Sequence, residues 1–556
     1  MVVVLARLAL TCLVILTVGA ARAEAQTFTV SNSSDSGDGS LRAAVAAAGD
    51  GDSVAIPASV TAPIVLTSGQ IAINKSITIT GAGSALTVLD GNHASRVFDI
   101  ASDGVSHPEV TISDLTITHG HTTGVPGGGG AVVEPLNTLH LARVLMTAND
   151  TAPGGDAGGA VFNQGGTLTL DRSTISGNTS GSDGGGVFGE AFMGGPGNTT
   201  ISDSTISGNT TPFGRFGGGA ANFGGTMAIQ RSTLSGNTSG RAGGGVSTEG
   251  SGGGALTLVD STVTDNTTNG AGFEGAAVYV LVSGGPRVLL LNDTIAGNSA
   301  FPGDAMHPGS PGGLSANDTS GTQVINTIVA GNFGKPGEEN CLAGMSLAED
   351  HNLEDLNTCG FRGAGDITGS DPLLTALEDN GGPTLTRQPI PNSPAIGAAD
   401  ATRCPATDQR GVPYFAPNPC DIGAVDTARP APPGVVTGSG APPTGAAISR
   451  FGLRPTRFAA AGRGGSIARK RRTGTTVTYR QFARGRTTFV VRALRRGRHF
   501  VKVGGFSRAG KAGSNRFHFT GRVKHHKLRP GRYRLDATAG TGSSKRTVRR
   551  AFRIVR

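Results

Sequence analysis

Acids, histidines and cysteines are the residues of this chain best able to do chemistry, so their spacing decides what chemistry is open. Asp171, Asp203 and Asp260 recur inside similar short stretches. Recurrence places them at one register of a repeat, as corner residues. A glycosidase needs two carboxylates at a set separation across the sugar. A calcium-dependent lyase needs clustered acids and a basic proton acceptor. Adjacent Asp-Asp pairs are absent. Asp114, Glu134, Asp156, Asp183 and Glu190 could line one face, with solvated loops as the default. His119 and His121 flank Gly120, and the sequence offers them no partner. Sugar sites favour aromatic platforms, and a chain with no Trp and 4 Tyr is poorly equipped for them. No residue set qualifies as catalytic, and no cofactor is implied.

Cys12 lies in the apolar N-terminal stretch, which leaves Cys341, Cys359, Cys404 and Cys420. Their spacing does not resemble a zinc site and no His completes one, so no metal is expected. An even count in an exported chain reads as disulfides. Proximity favours Cys341–Cys359 and Cys404–Cys420, and three connectivities are open.

The elements that position these residues come from a repeat. Asp171-Arg-Ser-Thr-Ile-Ser-Gly-Asn178, Asp203-Ser-Thr-Ile-Ser-Gly-Asn209 and Arg231-Ser-Thr-Leu-Ser-Gly-Asn237 share one pattern. Degenerate copies end at Asn266, Asn298 and Asn332, and an earlier one at Asn149. The Asn-to-Asn steps are 29, 31, 28, 29, 32 and 34 residues, in the range of solenoids. Each unit adds a Gly cluster and an alternating strand such as Thr167-Leu-Thr-Leu-Asp171. Alternation turns Leu168 and Leu170 to one face. One such unit cannot bury its apolar face, but units stacked about 4.8 Å apart can. A propeller blade needs about 40 residues and longer strands, and a leucine-rich repeat needs a Leu ladder and a helical or 3₁₀ turn, both missing from the pattern. The expected fold is all-β, a right-handed parallel β-helix. Asn149, Asn178, Asn209, Asn237, Asn266, Asn298 and Asn332 should form a corner ladder. Several also stand in glycosylation triplets, a reading the fixed repeat position disfavours.

Residues 1–25 read as a signal peptide, with Arg7 as a minimal basic region, the apolar run Leu8 to Val18, and small-x-small sites ending at Ala23 and Ala25. The segment from Ser40 to Ala48 is the one convincing helix, capped by Ser40 or Asp38, and is expected to plug the open end of the β-helix as an N-terminal helical cap. The β-helix with its disulfide-containing end region spans 26–427. Residues 428–447 form a Pro/Gly-rich linker.

The net charge of +9 conceals a division. Residues 446–556 hold 31 Lys and Arg and a single acid, Asp536, a net +30, leaving −21 on the remainder. Separate domains with separate partners follow. Residues 448–556 alternate apolar and basic positions in about seven short strands, which suggests an immunoglobulin-like β-sandwich. Arg469, Lys470, Arg471, Arg472, Arg495, Arg496, Arg498, Lys524 and Lys527 are its candidate anion-binding residues. Nucleic acid is not the expected partner of an exported chain. An anionic cell-wall polymer or envelope lipid is, with a polysaccharide as a further candidate ligand. The oligomeric state is not set by the sequence.

The segment Phe28 to Ala44 resembles the N-terminal "CSLREA" region of exported right-handed parallel β-helix proteins, with Gly39 and Ala43 where that pattern has Cys and Glu. The Gly-Gly-Ala-Val and Ser-Gly-Asn repeats are similar to those of polymorphic outer-membrane protein families. Asp371-Pro-Leu-Leu, Asp379 to Thr386, Ser393-Pro-Ala-Ile396, Asp408-Gln-Arg-Gly411 and Cys420 to Ala424 resemble the "choice-of-anchor Q" region. The resemblance implies a secreted or surface-displayed, adhesin-like protein, mostly without known enzyme activity. The rival expectation is a polysaccharide lyase or glycoside hydrolase working on an acidic polysaccharide.

Overall fold

A computed structural model describes residues 24–427 and 448–555, except 125, 155–156, 252–253, 271–274, 284–287, 302–308, 317–321, 346, 415–418, 455–456, 461–472, 482–484, 495–499, 511–512, 524–525 and 540–545. The chain divides into two compact units, 1–439 and 440–556. The proposed signal peptide, up to residue 23, and the linker 428–447 lie outside the described residues.

The first unit is a parallel β-solenoid of about ten turns, built on sheets of twelve, nine and eleven strands. Most coils contribute one strand to each sheet, and the interior strands pair in parallel with their copies in the coils before and after. Thr167–Asp171 pairs with Thr138–Ala142 on one side and Asn198–Ser202 on the other. Alternation then stacks like on like. Ile112, Leu141, Leu170, Ile201, Ile229, Leu258, Leu290 and Val324 make one inward column. Ile117, Met146, Ile175, Ile206, Leu234, Val263 and Ile295 make another. All of these are buried, and each fully buried Leu or Ile contributes roughly 1.5–3 kcal/mol.

The corner that ends the eleven-stranded sheet needs a left-handed backbone. Gly177, Gly208 and Gly236 supply it at φ +67°, +67° and +65°, where a residue without Cβ is unstrained. Near the N-terminus, the short helix Leu41–Ala47 begins at Ser40, whose side chain accepts from the Ala43 N–H at 3.2 Å. Its Leu41, Ala44 and Val45 join the solenoid's apolar core. Asp35 ties this segment to a later coil, accepting from Arg42, from the N–H groups of Thr67 and Ser68, and from both their hydroxyls.

The second unit has a three-stranded sheet (Ile448–Arg454, Thr475–Gln481, Gly513–Phe519) and a five-stranded one. The five run in the order Arg457–Ala459, Arg546–Val555, Gly531–Ala539, Gly485–Leu494, Phe500–Gly510. Val477, Tyr479, Phe517 and Phe519 from the first sheet share one core with Phe489, Val491, Leu535 and Phe552 from the second. Its strands reach 11 residues, longer than the short strands expected, because glycines and basic residues extend the pairing beyond the apolar runs.

Candidate functional site

Stacking puts identical polar side chains over one another. The backbone N–H and the side-chain amide of Asn178 both donate to Asn209 Oδ1, at 3.0 and 2.9 Å. The same pair of bonds joins Asn149 to Asn178, Asn209 to Asn237, Asn237 to Asn266, Asn266 to Asn298 and Asn298 to Asn332. Each amide nitrogen also donates to a strand carbonyl, as Asn178 does to Met146 at 3.1 Å. The seven Asn are buried, so the glycosylation reading fails at these positions. A second ladder was not separated out in the sequence. The Ser173, Ser204 and Ser232 N–H groups donate to the hydroxyls of Ser204, Ser232 and Ser261, and Ser261 donates to Asp293 Oδ1. Its signal is the Ser shared by four copies of the motif, Ser173, Ser204, Ser232 and Ser261. Asp171, Asp203 and Asp260 do not share one register. Asp203 and Asp260 occupy the left-handed corner, but Asp171 is one residue earlier, paired with Ser202, and Arg172 takes the corner. The extra residue between Asp171 and Asn178 shifts its register.

The remaining acids disperse. Asp114 is chelated by Arg143 at 2.7 and 2.5 Å. Asp183 accepts from the Phe216 N–H at 2.8 Å, and burial pushes its carboxyl up. Glu190 pairs with Gln164 in the nine-stranded sheet, and Glu134 directly follows the strand Ala131–Val133 of the same sheet. Burial raises both, with Asp99 adding to the effect on Glu134. Asp156 lies outside the described residues. A shallow pocket of about 210 Å³ gathers Glu349, Asp350, Asp400 and Arg403. Its carboxylates serve their own loops: Glu349 accepts from the Arg362 N–H, Asp350 faces His351, and Asp400 accepts from Thr402.

His119 and His121 do have partners. His119 Nδ1 lies 3.1 Å from Asp90 Oδ2 and His121 Nδ1 lies 2.7 Å from Asp150 Oδ2. Both acids come from neighbouring coils, 29 residues away.

Two disulfides close, Cys341–Cys359 and Cys404–Cys420. The second lies in a segment, 371–427, that runs back along the solenoid as a strap. Gln409 bridges to Thr233 at 2.9 Å and Thr262 at 2.6 Å. Arg387 reaches the Ala296 carbonyl, and the Ala424 N–H reaches Thr294. Thr233, Thr262, Thr264 and Thr294 face outward from the eleven-stranded sheet and are buried, while their counterparts Thr174 and Thr205 are not. Within the strap, Asp408 pairs with Arg410 at 2.7 Å. Asp260 of the solenoid is buried with no partner on Oδ1. Burial, with Asp293 and Asp408 nearby, holds its carboxyl well above the usual range.

In the second unit, Lys527 is exposed. Arg469, Lys470, Arg471, Arg472, Arg495, Arg496, Arg498 and Lys524 lie outside the described residues. A different basic cluster stands on the five-stranded sheet. The outward register of the five-stranded sheet sets Arg532 opposite Arg553, and Arg492 opposite both Arg534 and Lys502. Arg549 stands opposite Asp536. Asp536 holds Arg492 at 2.8 Å and Arg534 at 2.7 Å. One carboxylate thus stands among six cations. Counting every second residue of each strand would have found the cluster.

No protein-family model matches the chain, and no curated protein matches it. Among the described residues, no helix is long and apolar enough to cross a membrane.

Proposed function

We propose that this is an exported, surface-associated protein with an adhesive or structural role, held to an anionic envelope polymer or lipid by its basic second unit. The observation that carries the proposal is the outward sheet face of Arg492, Lys502, Arg532, Arg534, Arg549 and Arg553. Like charges placed directly opposite weaken a sheet, and a polyanion laid across the strands relieves that repulsion. Export is supported by the two disulfides and by the signal-like residues 1–25. In this reading the solenoid is right-handed and helix Leu41–Ala47 caps its first coil. The second unit is an immunoglobulin-like sandwich, and the family is that of the CSLREA and choice-of-anchor β-helices. The buried Asn and Ser ladders support a structural rather than catalytic use of the repeat.

The test is co-sedimentation of the full chain with anionic cell-wall polymer and with anionic lipid vesicles. Binding should be strong at ~50 mM salt and fall steeply with added salt. It should drop at least tenfold when Arg532, Arg534 and Arg553 are changed to Gln. Absence of binding at low salt rejects the proposal. A polysaccharide-degrading reading is favoured by one observation, the raised carboxyls of Glu134 and Glu190 at the ends of strands in one sheet. Product formation on a polyuronide panel, lost in Glu190→Gln, would establish it.

A further inference from the structure

The strap shows what the outer face of the eleven-stranded sheet can hold. Thr174, Thr205, Thr233, Thr262 and Thr294 form one outward column, one residue per coil. Stacking sets successive members about 4.8 Å apart. Gln409 of the strap lays its side-chain amide across two of them. Its Nε2 donates to Thr233 Oγ1 at 2.9 Å, and Thr262 Oγ1 donates to its Oε1 at 2.6 Å. Two threonines on successive coils thus serve both ends of one amide. The next in the column, Thr294, accepts from the Ala424 N–H at 3.0 Å.

The column runs on past the strap. Thr174 and Thr205 keep the register of Thr233 and Thr262 but are only half-buried. Among the described residues, neither hydroxyl has a protein partner. Ser176 and Ser207 stand beside them in a second outward column. Apolar groups bound the open pair. Leu145 precedes Thr174 in the column. Leu385, whose carbonyl takes the Thr233 hydroxyl, is 44% exposed at the strap's edge.

We propose that Thr174 and Thr205 bind the acetamido group of an N-acetylated amino sugar, carried by an oligosaccharide that lies on the open coils. The amide N–H donates to one threonine and its carbonyl accepts from the other, as the Gln409 amide does with Thr233 and Thr262. The acetamido methyl meets Leu145. Ser176 and Ser207 can each donate and accept, which suits the hydroxyls of the sugar ring. An extended peptide fits less well. The strap also needs an apolar footing, with Ala395 and Ile422 in one cluster with Ile328 and Ala330. In those two registers the open coils present hydroxyls instead. The site needs no aromatic platform and no charge on the ligand, so it is independent of the basic sheet face.

The test is an NMR titration of the full chain with the N-acetylglucosamine tetramer. Cellotetraose, with hydroxyls in place of the acetamido groups, is the comparison probe. Saturable binding at roughly millimolar affinity is expected for the first, and at least tenfold weaker binding for the second. Thr174→Val with Thr205→Val keeps the branched shape and removes both hydroxyls. Its melting temperature should hold while its affinity falls at least tenfold. Thr174→Ser with Thr205→Ser keeps the hydroxyls and should retain binding. Thr200→Val, on the twelve-stranded sheet, should bind as the parent does. No saturation up to about 10 mM, equal binding of the two sugars, or binding untouched by the double valine change overturns the proposal. A synthetic peptide of residues 405–412 that binds more tightly than the tetramer, and loses binding in the double valine variant, overturns it too. That result would make the open threonines a peptide dock.

Discussion

Asn209 accepts two hydrogen bonds on one oxygen and donates two from one nitrogen, in a space closed to water. Asn209→Ala would leave the Asn178 N–H and amide, the Ile175 carbonyl and Asn237 Oδ1 short of partners. Each orphaned group costs roughly 1–3 kcal/mol. The unfolding free energy from urea titration should fall by about 3 kcal/mol or more, and a loss below about 1 kcal/mol would show that the ladder is dispensable. Asp260 makes the opposite case, a buried carboxyl without a bond on Oδ1. Its pKa is raised by burial, then by Asp293 and Asp408, with Arg231 opposing. The folded protein holds this proton more tightly than the unfolded chain does. Its contribution to stability is full below the unfolded value of about 4 and is lost as pH rises through the folded-state pKa. Asp260→Asn should therefore stabilise the protein at pH ~8 and give no gain near pH ~4. Urea titrations at the two pH values decide it; an equal gain at both would rule out titration as the cause.

The strap shows what an element adds beyond its residues. Residues 371–427 cover outward threonines of later coils, with bonds spanning up to 177 residues of sequence. Removing the Cys404–Cys420 bridge by Cys404→Ser with Cys420→Ser frees a loop worth about 3 kcal/mol of closure entropy. Amide exchange should then quicken at 233–235, 262–264 and 294–296, and stay unchanged at 174–176 and 205–207. Uniform exchange across all five stretches would mean that the strap does not act locally. This is also where the sequence stopped being legible. The coils could be read because a 3-residue strand and a left-handed corner recur about every 30 residues. The two disulfides could be read from proximity. The strap could not, since Gln409 meets Thr233 by no local periodicity. The partners of His119 and His121 were within reach, because one repeat length, 29 residues, separates each from its carboxylate.

At the scale of the whole chain, the division of charge is the feature that neither repeat nor strap explains. The first 445 residues carry −21 and the rest +30. In the solenoid, charges are spread over many coils and several are paired, as Asp114 with Arg143 and Asp203 with Arg231. In the second unit, cations face cations across the strands, with Asp536 alone among them. Salt therefore acts differently on the two units. Counter-ions shorten the reach of exposed charges from about 30 Å at 0.01 M to about 8 Å at 0.15 M, which weakens the repulsion between neighbouring arginines. Scanning calorimetry of the full chain should resolve two transitions. The one belonging to residues 440–556 should move upward by several degrees between low and physiological salt. A soluble polyanion should shift it further still, because a ligand bound only to the folded form adds its binding energy to stability. The solenoid transition should barely move. If both transitions climb together, the repulsion is not confined to the basic sheet, and the cluster of arginines loses its claim to be a binding face.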